Sequence, residues 1–436
     1  MHDTFLFTLK QKLETCILDL SNIRSLFSQH PGADFSRDRK ITFPDLINML
    51  LQMESRSLPN ELMAYFNHDL SGPTTSAFIQ QRAKLAAEGM AFLFFHFNDV
   101  CKHFHRKTMD GYRLLAADGS DVNIARNPDD GDTFVKQGER GYNQLHINAL
   151  YDVLNHIHVD VDIQGEKKLH ERLALNRMAD RYHGLPAIFI ADRGYESWNV
   201  FAHFIENGQK FVVRMKDISS NGILSAWDLP DGEFDVTLHT TLTRRHTKET
   251  VQNPDTYTIL QPYTDFDFLD DTNRYYEITI RVVRFRLPDG SYQCVATNLE
   301  ADVFPPQKIK RIYHARWGEE TSFRELKYTV GLIDFHSKKK EFILQEIYAR
   351  LILYNFCEMA ATHAAETKPK NPGTKHTYRI NFATTVNICR AYLRHGGGET
   401  NYMRLIQRHL TPIRADRSFP RNVRAKTVRN FMYRAA

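Results

Sequence analysis

The stretch AIFIADRGYESWNVFAHFIENGQKFVVRM, residues 187–215, decides the fold. AIFIA (187–191) is an unbroken apolar run of strand length, stopped by Asp192-Arg193-Gly194. ESWNVFAHFIENG then predicts a helix closed at Gly208, a residue suited to the left-handed end of a helix. KFVVRM (210–215) predicts a second strand of the buried type. Upstream, YRLLAA (112–117) is a short apolar run ending at Asp118-Gly119-Ser120. QLHINALYDVL and HIHVDVDIQ, around 144–163, read as two paired strands, and EKKLHERLALNRMADRYH as a charged helical stretch. Strands first, then strand and helix in alternation, predict an α/β sheet of mixed strand direction.

Outward from this core the pattern changes twice. Residues 1–108 read as helical, with LPNELMAYF and SAFIQQRAKLAAEGMAFLFFHF placing apolar residues at helical spacing. In ITFPDLINMLLQM, Thr42 is suited to cap a helix and Pro44 to its first turn. After the core stretch of 109–216, residues 217–303 read as a β-rich insertion. There ITIRVVRFRL and SYQCVATNL flank the hairpin signal Pro288-Asp289-Gly290. Residues 304–340 return to helix, continuous from about 305 to 328. The last segment, 341–436, is helical and basic, with the long apolar helix FILQEIYARLILYNFCEMAATHAA, a KPKNPGTK loop and an Arg-rich end.

At 436 residues the chain has material for roughly three domains of about 150. Its 42% hydrophobic and 25% charged residues exclude a mostly disordered, collagen-like or coiled-coil protein. No stretch approaches the ~18 apolar residues of a membrane span. MHDTFLFTLKQKLETC carries Asp3 and no long apolar run, unlike a secretory signal. Five scattered cysteines without a CxxC argue against a disulfide framework and fit a reducing, cytoplasmic setting. The net charge of +5 is uneven: residues 301–436 hold 25 basic and 11 acidic side chains, the remainder 32 and 41. A basic third on an acidic remainder points to a polyanion, with surface charge for solubility as the plainer alternative.

Two aspartates, Asp118 and Asp192, stand where apolar strands emerge from a core. Open α/β sheets place ligand sites at such strand ends, although Asp-Gly and Asp-Arg-Gly also make ordinary turns, and Asp192 also suits a helix cap. Downstream, Tyr313, Arg316, Glu320 and Lys327 are offset by 0, 3, 7 and 14 residues. At ~100° per residue they fall near 0°, −60°, −20° and −40°, one narrow stripe of a single helix. Such a stripe suits a phosphate held beside a metal, or else a solvated face of ion pairs. Glu319 points ~100° away, which favours Glu320. Three converging carboxylates repel one another unless cations join them, and hard carboxylate oxygens suit Mg2+ or Mn2+. Two such ions would serve in-line phosphoryl displacement. Neither GxxxxGK[ST] nor GxGxxG occurs, so a polymer backbone is a better substrate than a nucleotide cofactor. Cys101, His103 and His105 lack a second ligand pair for zinc. His156, His158 and Asp160 alternate along a strand and read as one solvated polar face.

With these residues in view the chain resembles a known family. LLAADGS, FIADRGYES, FVVRMK, ATNL and YHARWGEETSFRELK, in this order over about residues 110–335, are similar to the landmarks of bacterial insertion-sequence transposases of the DDE class. The similarity is to the insertion-sequence-4 branch, whose signature Y-x2-R-x3-E-x6-K is matched by Tyr313, Arg316, Glu320 and Lys327. The resemblance implies a ribonuclease H-like catalytic core interrupted by a β-rich insertion. It implies Asp118, Asp192 and Glu320 as the metal-binding triad, with two Mg2+ (or Mn2+) ions per site. Tyr313, Arg316, Lys327, Arg214 and Lys216 would contact DNA, and Trp317 would pack. The N-terminal region would help read terminal inverted repeats, and the C-terminal region would help join two protein–end complexes into a homodimer; its basic tail reads as a DNA contact or a subunit interface. The expected activity is cut-and-paste transposition of double-stranded DNA. The alternatives are a structure-selective or repair nuclease on the same core, or a DNA-binding descendant that has lost catalysis.

Overall fold

Helix formation at the N-terminus follows its local signals. In the computed structural model, which describes residues 4–104, 107–137, 140–369, 378–396, 400–412 and 431–433, helices α1 (Thr4–Asn22), α2 (Phe43–Gln52), α3 (Leu58–Tyr65), α4 (Thr75–Arg82) and α5 (Ala87–Val100) fill the first hundred residues. Thr42 caps α2 in a reciprocal box with Asp45, and Pro44 sits in its first turn. His105, most of KPKNPGTK and most of the Arg-rich end lie outside the described residues.

The sheet is built from β1 (Arg113–Ile124), β2 (Phe134–Val135), β3 (Tyr142–Asp152), β4 (Ile157–Gly165), β5 (Ala187–Ala191), β6 (Lys210–Met215), β7 (Phe234–Thr243), β8 (Tyr257–Ile259), β9 (Tyr275–Arg286) and β10 (Tyr292–Thr297). Helices α6 (Glu171–Asp180) and α7 (Trp198–Glu206) flank β5, and the short α8 (Lys248–Gln252) precedes β8. The order is β2-β3-β1-β5-β6-β10-β9-β7-β8, with β4 also pairing β3. β1, β5 and β6 are parallel at the centre. The strands of 217–303 do not form a separate body: β10 pairs directly with β6, and β9 and β7 continue the same sheet.

Downstream come α9 (Pro306–Ala315), α10 (Trp317–Tyr328), α11 (Lys340–Thr367), α12 (Phe382–His395) and α13 (Tyr402–Arg408). One face of the sheet carries α6, α7 and the apolar side of the insertion strands. The other carries a single core shared by the N-terminal helices, α9–α13 and the strands. Helix α11 is apolar around most of its circumference because it lies at the centre of this layer. Its polar residues are paired: Arg82 donates to Gln345 at 2.8 Å and Glu346 at 2.9 Å, and Glu346 also meets His336 at 3.1 Å. The segment 1–108 is therefore buttressed by the C-terminal helices. Among the described residues no helix is long and apolar enough to cross a membrane.

Three expectations are corrected. Asp118-Gly119-Ser120 does not end a strand; β1 runs on to Ile124, held on both sides by β3 and β5 as far as β5 extends. The helix expected over 305–328 is two helices meeting at Arg316. His158 and Asp160 do not share a solvated face. The ladder between β3 and β4 slips between Leu150 and Tyr151, so His158 lies opposite Tyr151 and Asp160 opposite Leu150. The extra residue throws the two side chains to opposite faces. His158 is fully buried against Tyr151, Phe323 and Tyr354, and Asp160 is ion-paired to Arg181 at 2.6 Å.

Candidate active site

The register of the parallel strands builds half of the site. Ala117 pairs with Ala191, and Ala191 with Val213. One residue further, the next row across the three strands is Asp118, Asp192 and Arg214, with neighbours ~4.8 Å apart in such a row. Ala116, Ile190 and Val212 face the helical core, so by alternation Asp118, Asp192 and Arg214 point to that same side. β5 ends at Ala191, and Asp192 turns the chain: its Oδ1 accepts from the Gly194 N–H at 2.7 Å. Asp192 thus caps a single turn, Arg193–Tyr195, rather than helix α7.

The other half comes from the α9–α10 junction laid on this face. Arg316 is 6% exposed. Its Nη1 stands 3.6 Å from Asp118 Oδ2, and its Nη2 donates to Glu320 Oε1 at 3.1 Å. The guanidinium therefore bridges the first aspartate and the glutamate, with the Tyr313 and Trp317 rings 6.0 and 5.2 Å from it. The break in the helix explains why the expected stripe is divided. Tyr313 is buried in the apolar core on α9, not on an open face, while Glu320 remains accessible on α10. Trp317 is half exposed rather than packed. At the far end of α10, Lys327 Nζ donates to the Asp121 carbonyl at 2.6 Å, fastening the helix to β1. Lys216 is exposed, its ammonium on the Asn221 carbonyl at 2.9 Å, and Arg214 is partly buried.

Burial pushes the Asp118 carboxyl up to about 6, against a 2.9 Å hydrogen bond from the Gly119 N–H and the pull of Arg316; the charges of Asp192 and Glu320 add to the rise. Among the described residues no three carboxylate, histidine or cysteine side chains are gathered closely enough to enclose a metal ion. The donor chemistry nonetheless fits a hard divalent cation: three carboxylates, one of them held partly protonated by crowding and burial, with one arginine between two of them.

Three residues near the site went unassigned in the sequence. Glu319 is fully buried and, among the described residues, neither carboxyl oxygen has a full hydrogen-bond partner; burial, then the Asp118 charge, push it well above the usual carboxylate range. Tyr195 is buried with its hydroxyl unpartnered among the described residues. His146 lies beneath Gly119 and pairs with Asp121 and Glu171, a histidine–carboxylate cluster on the opposite face of the sheet. A histidine inside the apolar alternation of QLHINAL is the only sequence signal for it.

Residues 109–356 match the family described as a transposase DDE domain. A solved structure, the piggyBac transposase synaptic complex with hairpin DNA, is similar at 9% identity and a TM-score of 0.48, over 93% of this chain and 81% of that one. No curated protein matches the chain.

Proposed function

Because this chain belongs to the DDE transposase-domain family, we propose that it is a DNA transposase that cleaves DNA at the ends of an insertion sequence and joins them to target DNA. The observation that carries this reading is the row that sets Asp118, within β1, beside Asp192, just past the end of β5, with Glu320 tied to Asp118 through Arg316. Asp118, Asp192 and Glu320 would hold the divalent ions, two Mg2+ or Mn2+ per site. When bound, these ions supply activation of the attacking oxygen and stabilisation of the leaving one. The chain itself contributes cations beside that centre. Arg316, with its planar fork of donors, suits a phosphodiester oxygen once the ions take over the carboxylates. Arg214 and Lys216 continue the row at the end of β6 and suit the DNA backbone. Lys327 holds α10 against β1, so that Glu320 approaches from a fixed direction. Tyr313, buried beside Arg316, acts through that guanidinium rather than by reaching DNA from an open face. Water would attack one strand at the element end, the freed 3′ hydroxyl would attack the opposite strand, a second water would release it, and it would finally attack target DNA, without a protein–DNA covalent bond. Membership of the insertion-sequence-4 branch, cytoplasmic action and a homodimer on paired ends belong to the same proposal.

The test is incubation of the full chain with Mg2+ and DNA carrying its own element ends. Excision and joining are expected. Cleavage without joining favours a nuclease on the same core, and binding without cleavage a descendant that has lost catalysis. Glu320→Gln is expected to lower cleavage by at least about a thousandfold while end binding persists. Persistent cutting by that variant would refute the metal assignment.

A further inference from the structure

Gly119 sits in mid-strand, where glycine has no turn to make. A Cβ there would stand 2.1 Å from His146 Nε2 and 3.0 Å from Glu171 Oε1. The residue after Asp118 is therefore bare because an imidazole lies flat against β1. His146 is 5% exposed and opposes Asp121 across the β1–β3 ladder. Its Nδ1 is 2.7 Å from Asp121 Oδ1 and its Nε2 3.1 Å from Glu171 Oε1. Glu171 opens α6, and its other oxygen, Oε2, lies 3.9 Å from where a Cβ of Gly194 would be, in the turn capped by Asp192. Arg172, the next residue, donates to the Gly194 carbonyl at 2.9 Å. Asp121 is in turn gripped through its carbonyl by Lys327 of α10.

These interactions converge on the three elements that carry the acidic residues. We propose that His146 is a positioning residue for the metal centre: from the rear of the sheet it clamps the strand of Asp118 to the turn of Asp192 through Asp121 and Glu171. The proposal rests on the metal assignment made above. The two aspartates have no direct bond to each other, and their like charges push them apart. A cation sandwiched behind them, with one carboxylate partner on β1 and another on α6, fixes the spacing that two bound ions require. The pair of ion pairs also explains how a histidine is buried between Leu145 and Ile147: its burial is offset by two carboxylates. Burial alone would lower the ring's proton affinity, yet the two carboxylates raise it to about 9, so the clamp is charged at neutral pH.

The experiment titrates Mn2+ alone into the full chain, free ion being followed by electron paramagnetic resonance. The chains compared are the parent, His146→Gln, Gly119→Ala, Glu171→Gln and Glu320→Gln. His146→Gln and Gly119→Ala are expected to weaken Mn2+ binding about tenfold, as loss of a supporting shell does elsewhere. Glu171→Gln, at a partly exposed position, is expected to weaken it severalfold. Higher Mg2+ should restore much of the cleavage rate in all three, because the ligands themselves remain. Unchanged Mn2+ affinity in Glu171→Gln, or in whichever of the other two folds, overturns the clamp. Should both of those variants fail to fold, Glu171→Gln alone decides. If Glu320→Gln binds Mn2+ like the parent, the metal assignment fails instead; if it loses binding while the clamp variants keep it, only the clamp fails.

Discussion

His158 makes the fold sensitive to acid, and its replacement should remove that sensitivity. The side chain is fully buried, both ring nitrogens lack partners among the described residues, and the Tyr151, Tyr354 and Phe323 rings stand 5.0, 4.9 and 5.8 Å away. Burial, with nothing to oppose it, lowers the ring from 6.5 to about 3. The folded chain therefore refuses a proton that the unfolded chain accepts. Above about pH 6.5 neither state binds it and stability is complete. As the pH falls toward 3 stability drops by about 1.4 kcal/mol per unit, roughly 2 kcal/mol by pH 5 and 4–5 kcal/mol in all. His158→Leu is near in volume and leaves intact the backbone bonds at this position, the N–H donating to Asn355 and the carbonyl accepting from Asn355 and Asn98. It also removes two unsatisfied polar atoms, a gain of about 1–3 kcal/mol against some loss of packing. Urea unfolding of both chains at pH 7.5 and pH 5.0 isolates the contribution. The parent should lose about 2 kcal/mol more than the variant between the two conditions. Equal losses would show that His158 protonates in the folded state, and the reasoning from burial would be wrong.

Two further outcomes follow from the same structure. Arg82→Met should destabilise the chain by about 3–5 kcal/mol in urea unfolding, because Glu346 and Gln345 are left buried without their partner; a loss under 1 kcal/mol would mean the pair is not buried in solution. Deleting residues 413–436 removes seven Lys and Arg and the two-residue strand Met432–Tyr433 paired with Asp334–Phe335, but none of α12 or α13, so the fold should survive. If the basic tail meets DNA, log K should then fall less steeply with log salt, by about 0.9 for each phosphate that the tail had neutralised; an unchanged slope removes the tail from the interface.

The legibility of the sequence divides along local and long-range physics. The strands at 187–191 and 210–215, the cap at Thr42 and the hairpin around Gly290 depend on a few neighbouring residues, and each is found where the pattern puts it. Asp118 and Asp192 were visible because acids directly after apolar runs are conspicuous, but their adjacency depends on a register between strands over seventy residues apart. The division of Tyr313 from Glu320 was not visible, since Arg316 keeps helical dihedrals and the nearby Gly318 is the one weak local signal of a break. The face of His158 was hidden by a single inserted residue in the ladder. His146 was hidden by the absence of any local motif: its partners come from β1 and from α6.

The non-equivalence of the two aspartates yields the sharpest separation of stability from activity. Asp192 helps fold its own turn, through the Gly194 N–H, whereas Asp118 is buried beside other acids. A carboxyl raised to about 6 binds its proton more tightly folded than unfolded. Its contribution is most favourable at low pH and is lost as the pH rises from about 4 through 6. Above that, in metal-free buffer, the ionised group works against the fold by about 2–3 kcal/mol, a figure that already includes the pull of Arg316. Asp118→Asn should therefore stabilise the metal-free chain at pH 8 by about 1–2 kcal/mol, and Asp192→Asn should leave it unchanged or slightly weaker. Both should abolish metal-dependent cleavage if both are ligands. Added Mg2+ should raise the melting temperature of the parent and of neither variant, since only the intact set binds the ions that relieve the repulsion. A parent that melts no higher with Mg2+, or an Asp118→Asn chain less stable than the parent at pH 8, would mean that Asp118 is an ordinary structural acid satisfied by Arg316.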